Sequence, residues 1–230
     1  MHTCFHVDTG STKFLIDCGA SSLAGIRRLG IDVNEIDTIF ISHLHGDHFA
    51  GLVWLRMFME FVTKRKAPLT LVGPPGIEQR VRAAAEALFP GTMAMRTSYE
   101  IGFVELAREV RTMVGEVAVT AFEVSHPSGA PSYALRVEAG GRVLSYSGDT
   151  EWVESLIKVA DGADMMLIEC YGYATTVPYH MSWKIVEPHL PRLKARWIVL
   201  THMNAEMLAN QAKASNARVL FADDGLVLDV

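Results

Sequence analysis

Directly behind the apolar run Ile39-Phe40-Ile41 come Ser42 and then His43-Leu44-His45-Gly46-Asp47-His48, three imidazoles and a carboxylate within six residues. A short apolar run of this kind reads as a buried strand, and the polar cluster must then lie where that strand becomes a loop. His43 and His45 are two positions apart, so an extended backbone points both rings to one side. Gly46 allows a tight turn, after which Asp47 and His48 face the same place from its far side. Imidazole and carboxylate are ligands for zinc and similar divalent ions. A lone histidine in a polar loop would need no such explanation; this density does.

One loop cannot complete a metal centre, so the rest of the chain is searched for ligands at strand ends. His126 closes the apolar-rich run Glu116–Ser125 and precedes Pro127. Asp149 follows the run Val143–Ser147, in Ser147-Gly148-Asp149-Thr150. His202 follows Trp197–Leu200, in Leu200-Thr201-His202. In layered α/β folds, sites collect at the ends of strands. Each residue is a weak signal alone; three recurring in one chain beside the histidine cluster are not.

Patterning supports such layers. Strands are expected at Lys13–Ile16, Thr38–Ser42, Leu69–Val72, Glu116–Val124, Ser132–Glu138, Arg142–Ser147, Met165–Glu169, Trp197–Leu200, Arg218–Phe221 and Leu226–Val230, with Gly140-Gly141 as a hairpin turn. Helices are expected at Ile77–Phe89, stopped by Pro90-Gly91, and at Glu151–Val159, Ser182–Leu193 and Ala205–Ala214, the third interrupted by Pro188 and Pro191. Mixed sheets covered by helices follow, in a single domain over residues 1–230. Half of the 230 residues are apolar and 20% are charged, which excludes a disordered chain. A net charge of -5 provides no field for an extensive nucleic-acid groove. The longest apolar stretch, Ala50–Val62, is broken by Arg56 and Glu60 and is too short to span a bilayer. Cys4, Cys18 and Cys170 are too few and too scattered for a disulfide framework, which points to the cytoplasm.

The hexapeptide His43–His48 is similar to the HxHxDH signature of the metallo-β-lactamase superfamily, and His126, Asp149 and His202 stand in that family's order. Gly73-Pro74, Ile168-Glu169-Cys170 and His180-Met181-Ser182 resemble segments of its ribonuclease Z-like branch. The resemblance runs from Thr12 to Val230. It implies an α/β chain folded as a four-layered αβ/βα sandwich with two mixed β-sheets and two divalent metal ions, zinc or, as the alternative, manganese. His43, His45 and His126 would hold one ion, Asp47, His48 and His202 the other, and Asp149 would bridge them. His180 would act on the leaving group, oriented by Glu169; with Asp47 these are the residues assigned to the chemistry.

The implied function is a dinuclear hydrolase using a metal-bound hydroxide on a small phosphodiester. Two features depart from the branch. Met1-His2-Thr3 leave little room for the edge strand that usually precedes the segment matching Phe14–Gly19, so that strand is expected to be short or absent. The interval from His126 to Asp149 lacks the long arm of the tRNA-processing enzymes. A tRNA 3′-end endonuclease without its arm is therefore the second reading. An esterase or lactonase using Tyr173 or Tyr179, and a non-catalytic metal-binding module, complete the alternatives. His2, His6 and His189 lack metal-like context, and Cys170 reads as a packing residue. Trp54–Phe61 reads as core helix, with a hydrophobic entrance or a homodimer face as alternatives, and Lys64-Arg65-Lys66 as a solvated turn.

Overall fold

The computed structural model describes residues 1–230. They form two compact units: Met1–Ala107 with Ser128–Ala130, and Arg108–Pro127 with Pro131–Val230.

The first unit carries a five-stranded sheet in the order β1-β2-β3-β4-β5. Its strands are β1 Phe5–Asp8, β2 Lys13–Ile16, β3 Thr38–Phe40, β4 Leu69–Gly73 and β5 Ile101–Glu105. β1 and β2 form an antiparallel hairpin with Phe5 opposite Ile16, and the remaining neighbours pair in parallel. The edge strand expected to be short or absent is thus present: a four-residue strand and the Thr9–Thr12 turn, closed by Thr9 N donating to Thr12 O at 3.0 Å, need little chain. Helices α1 Ser22–Arg28, α2 Gly46–Phe49, α3 Gly51–Phe61 and α4 Ile77–Leu88 complete the unit. The core gathers Leu15, Ile39 and Leu71 from the sheet with Leu55 and Met59 of α3 and Ile77 and Val81 of α4. Trp54 (45% exposed) and Phe61 (48%) lie on the outer side of α3, so the run Trp54–Phe61 is core along one face only. Arg65 corrects the expectation of a solvated turn. It is buried, and its guanidinium donates to the carbonyls of Val33, Asn34, Ala67 and Pro68 and to Asp37.

The second unit carries a seven-stranded sheet in the order β12-β11-β10-β9-β8-β7-β6. Its strands are β6 Arg111–Val114, β7 Val117–Val124, β8 Ser132–Ala139, β9 Arg142–Tyr146, β10 Met165–Glu169, β11 Trp197–Thr201 and β12 Val219–Phe221. β6 to β9 are an antiparallel meander, and β9 to β12 run parallel. Gly140 and Gly141, with φ of +57° and +74°, make the expected hairpin turn between β8 and β9. β10 lies between parallel neighbours and is buried along its whole length, which is why it reads as an unbroken apolar run before Glu169. The helices are α5 Ser155–Ala160, α6 Trp183–Val186 and α7 Ala205–Ala209. The expected helix Ser182–Leu193 is α6 followed by a 3₁₀ segment, Glu187–Arg192, because Pro191 has no N–H for the helical ladder. The expected helix Ala205–Ala214 likewise breaks at Asn210 into α7 and the 3₁₀ segment Gln211–Ala214. Leu226–Val230 is not a strand; Leu226, Val227 and Val230 are exposed, Val227 at 84%, and only Leu228 is partly buried.

Candidate metal centre

In the first unit, β3 runs through Ile41 into Ser42 and His43, all fully buried. The rings of His43 and His45 lie 5.0 Å apart, and those of His43 and His48 4.1 Å, so the three imidazoles gather at one place as their spacing implies. Asp47 Oδ2 lies 3.5 Å from His48 Nε2. Gly46 does not make a tight turn. It opens α2 behind His45, and a Cβ there would meet only Ala50 Cβ, at 3.8 Å. The demanding glycines are Gly19 and Gly51. A Cβ on Gly19 would overlap the Asp47 carbonyl, and one on Gly51 would overlap the Gly19 carbonyl. Bare backbone at both lets the segments dock, with Cys18 N donating to His48 O at 2.6 Å and Gly51 N to Cys18 O at 2.9 Å.

Asp17, missed in the sequence, organises this half. It is fully buried and sits at φ +57°, a left-handed conformation that aspartate tolerates better than most side chains. Its Oδ1 accepts from Ser42 N (2.8 Å), and its Oδ2 accepts from Ser42 Oγ (2.8 Å) and His48 Nδ1 (2.7 Å). A carboxylate only accepts, so the His48 proton is on Nδ1. Ser42 Oγ spends its proton on Asp17 and therefore accepts from His43 Nδ1, at 3.0 Å. Both rings then present Nε2 as the lone-pair nitrogen, the state a metal ligand needs. The missed signal was the same one used elsewhere: Asp17 ends the apolar strand Phe14-Leu15-Ile16.

In the second unit, β7, β9, β10 and β11 deliver His126, Asp149, Glu169 and His202 at or just beyond their C-terminal ends. His126 Nδ1 donates to the Tyr179 carbonyl at 3.0 Å, leaving its Nε2 as the lone pair too. Asp149 is buried, and its Oδ2 lies 3.3 Å from His202 Nε2. His126, Asp149 and His180 each offer a ligand atom, all within 4.8 Å of one another, and so do Glu169, His180 and His202. The His180 ring thus stands beside the side chains of His126, Asp149 and His202. His202 (φ +57°) and Tyr179 (φ +65°) both hold strained left-handed backbone, and such strain clusters at functional sites.

His180 Nδ1 lies 3.2 Å from Glu169 Oε2, which also accepts from Met181 N, while Glu169 Oε1 accepts from Thr150 N. Burial pushes the Glu169 carboxyl up, against the hydrogen bond from His180, while Asp149 pushes in the same direction as burial. The hydrogen bond to Glu169 raises His180 in turn, against the effect of its partial burial. A partly exposed imidazole held protonated by a carboxylate is equipped to give a proton. Cys170 is a packing residue: its Sγ meets Gly172 O and Met207 Sδ at 3.8 Å, and burial pushes its thiol up to about 12. His189 stacks on Trp152 at 3.7 Å and lies near the Arg192 guanidinium, in none of the groups of potential ligand atoms.

Residues 2–225 match a family model described as Anti-Pycsar protein Apyc1. Among curated relatives, the ribonuclease Z of Lachnoclostridium phytofermentans is 33% identical over 134 residues, 58% of this chain and 42% of that protein. The ribonuclease Z of Mycobacterium bovis is 26% identical over 217 residues, 85% of this chain and 77% of that protein. The chain thus spans about two fifths of the first of these relatives. Two solved structures share its architecture. The metallo-beta-lactamase fold protein YhfI from Bacillus subtilis is 20% identical, covering 98% of this chain and 90% of its own, with a TM-score of 0.77. Human tRNase Z, short form, is 20% identical, covering 99% and 92%, with a TM-score of 0.80. The fold is the α/β sandwich of the metallo-β-lactamase superfamily with two mixed sheets, as the signature implied.

Proposed function

Because the chain belongs to the family described as Anti-Pycsar protein Apyc1, in the ribonuclease Z-like branch of the metallo-β-lactamase superfamily, we propose that it is a dinuclear metal-dependent hydrolase of a small phosphodiester. In this reading its two units form one domain. His43, His45 and His126 would hold one ion, Asp47, His48 and His202 would hold the other, and Asp149 would serve both. The observation that carries the reading is the fixing of three tautomers. Ser42, Asp17 and the Tyr179 carbonyl each take the Nδ1 proton of a ligand histidine, so His43, His48 and His126 all offer Nε2. That arrangement fits a divalent cation, and the imidazole-carboxylate set suits zinc, with manganese second. Two such ions, when bound, polarise a phosphoryl oxygen and make hydroxide available near neutral pH.

The chain's own residues do the rest. Glu169 turns the His180 ring so that Nδ1 is engaged and Nε2 carries the proton for the departing oxygen. A small substrate is favoured over tRNA because residues 125–131 alone connect β7 to β8, a short loop in place of an arm, and because the net charge is negative. No helix is long and apolar enough to cross a membrane. A cytoplasmic location, supported by three free cysteines, and a homodimer through the exposed Trp54 and Phe61 belong to the same proposal.

The test is a metal-reconstituted screen against a bis-aryl phosphodiester, an aryl ester, a lactone and precursor tRNA, with metal counted by elemental analysis. Turnover of the phosphodiester at two ions per chain is expected. Turnover confined to the ester or lactone would make the protein an esterase, and two ions without any hydrolysis would make it a binding module.

A further inference from the structure

His180 does not sit on a strand. It ends the loop Gly172–His180, and a proton donor on a loop is only as well placed as that loop. The loop is closed at its stem by Trp183 N donating to Gly172 O (2.8 Å) and Lys184 N to Tyr173 O (3.1 Å). Further out, Glu206 of α7 holds it. The Glu206 carboxylate accepts three consecutive backbone amides, Tyr173 N (3.2 Å), Ala174 N (3.3 Å) and Thr175 N (3.3 Å). Successive amides pointing at one place form a concavity for an anion, and here the chain fills it with its own carboxylate.

The fit is close on the Gly172 side. A Cβ on Gly172 would come within 3.0 Å of Glu206 Oε2 and 2.9 Å of Thr175 O, so the loop has packed around the carboxylate. Glu206 is itself held. Asn204 caps α7 by accepting from Met207 N at 2.9 Å, and its own N donates to Tyr171 O at 2.7 Å. Glu206 lies four residues beyond His202, so it joins the end of β11 to the loop that brings Tyr179 and His180.

We propose that Glu206 is a positioning residue: by gripping the Tyr173, Ala174 and Thr175 amides it fixes the loop, and so sets where His180 presents its proton. The consequence for hydrolysis rests on the proposed function; the consequence for the loop does not.

The experiment compares the metal-loaded full chain with Glu206→Ala and Glu206→Gln by three readouts: hydrogen exchange of residues 172–180, metal content, and kcat and KM on an alkyl and a nitrophenyl phosphodiester. In Glu206→Ala the amides of 173–175 are expected to exchange at least tenfold faster, because their shared acceptor is gone, with metal content retained. kcat on the alkyl substrate is expected to fall by about 10–100-fold through misplacement of His180, with KM unchanged and a smaller loss on the nitrophenyl substrate. Glu206→Gln keeps the length and one acceptor oxygen and falls between the two, which also guards against an alanine variant that fails to fold. Added formate, small enough to refill the concavity, restores alkyl turnover in Glu206→Ala and does nothing to the wild type. Unchanged exchange in Glu206→Ala overturns the inference whatever the activity. Faster exchange with equal losses on both substrates also overturns it, leaving Glu206 a structural tie. If the wild type hydrolyses neither substrate, the proposed function fails instead, and the exchange rates with the NMR signals of the His180 ring decide on Glu206.

Discussion

Asp17 Oδ2 lies 2.7 Å from His48 Nδ1, with both side chains fully removed from water. This one contact joins the end of β2 to the histidine cluster behind β3 and decides which nitrogen of His48 is left to bind. Asp17→Asn is the informative change, because asparagine accepts the left-handed backbone at φ +57° and so isolates the hydrogen bonds from backbone strain. The amide has one acceptor oxygen where the carboxylate has two, so it cannot satisfy Ser42 and His48 together. Metal affinity is expected to fall by about 10–100-fold, as for other groups that orient a ligand histidine. Competition against a chelator measures it, and wild-type affinity in the variant would show that Asp17 does not set the ring.

The two glycine contacts yield different expectations for the same substitution. Gly51→Ala forces a methyl group into the Gly19 carbonyl and must part the segments that Cys18 and His48 join; it is expected to cost about 1–3 kcal/mol or more. Gly46→Ala places its methyl in ordinary contact with Ala50 at the first position of α2 and is expected to change stability by less than about 1 kcal/mol. Thermal unfolding of both variants checks the pair. A Gly46→Ala protein less stable than Gly51→Ala would reverse the assignment of which glycine the loop requires.

These two glycines mark where the sequence was legible and where it was not. The apolar strands behind His43, Glu169 and His202 stand out because they are buried over nearly their whole length and read as unbroken runs, whereas β9 before Asp149 opens on the exposed Arg142 and is legible mainly through the Gly140-Gly141 turn. The missed strands β1, β5 and β6 are short and only half-buried or exposed, so they carry no such run. Gly46 drew attention because it sits inside the motif, whereas the need for Gly19 and Gly51 arises from a backbone contact between segments thirty residues apart in sequence. Asp17 stayed hidden for the same reason: its partners Ser42 and His48 are distant in the chain. Glu169 and His180, recognised by resemblance, do meet, although nothing in their spacing requires it.

The cysteines give a check on the packing reading. Burial pushes the thiols of Cys4 and Cys170 up to about 12, and that of Cys18 well above the ordinary range. Thiolate is the reactive form, so a raised pKa means almost none is present at pH 8. The folded protein is expected to leave the buried thiols of Cys18 and Cys170 unmodified by a disulfide reagent at pH 8, and the denatured chain to react at all three. Rapid labelling of Cys170 in the folded state would mean that it faces the site after all.

The last expectation separates proton donation from metal binding at His180. Its ring lies 5.0 Å from that of His126 and 5.5 Å from that of His202, close enough for it to be a ligand, yet its Nδ1 is committed to Glu169. A donor and a ligand respond differently to removal. If His180 gives its proton to the departing oxygen, His180→Ala keeps both metal ions and loses about 10²–10⁴-fold in turnover, but only where the leaving group needs a proton. An alkoxide such as a ribose oxygen does, because it is strongly basic as it departs; a nitrophenolate scarcely does. The expected signature is a large kcat defect on an alkyl phosphodiester and a small one on the nitrophenyl analogue, at unchanged metal content. Glu169→Gln should follow the same pattern more weakly, since it leaves the imidazole in place but removes the charge that keeps it protonated. Equal defects on both substrates, or one ion lost from the His180 variant, would make His180 a ligand or a substrate contact, and the proton would have to come from elsewhere.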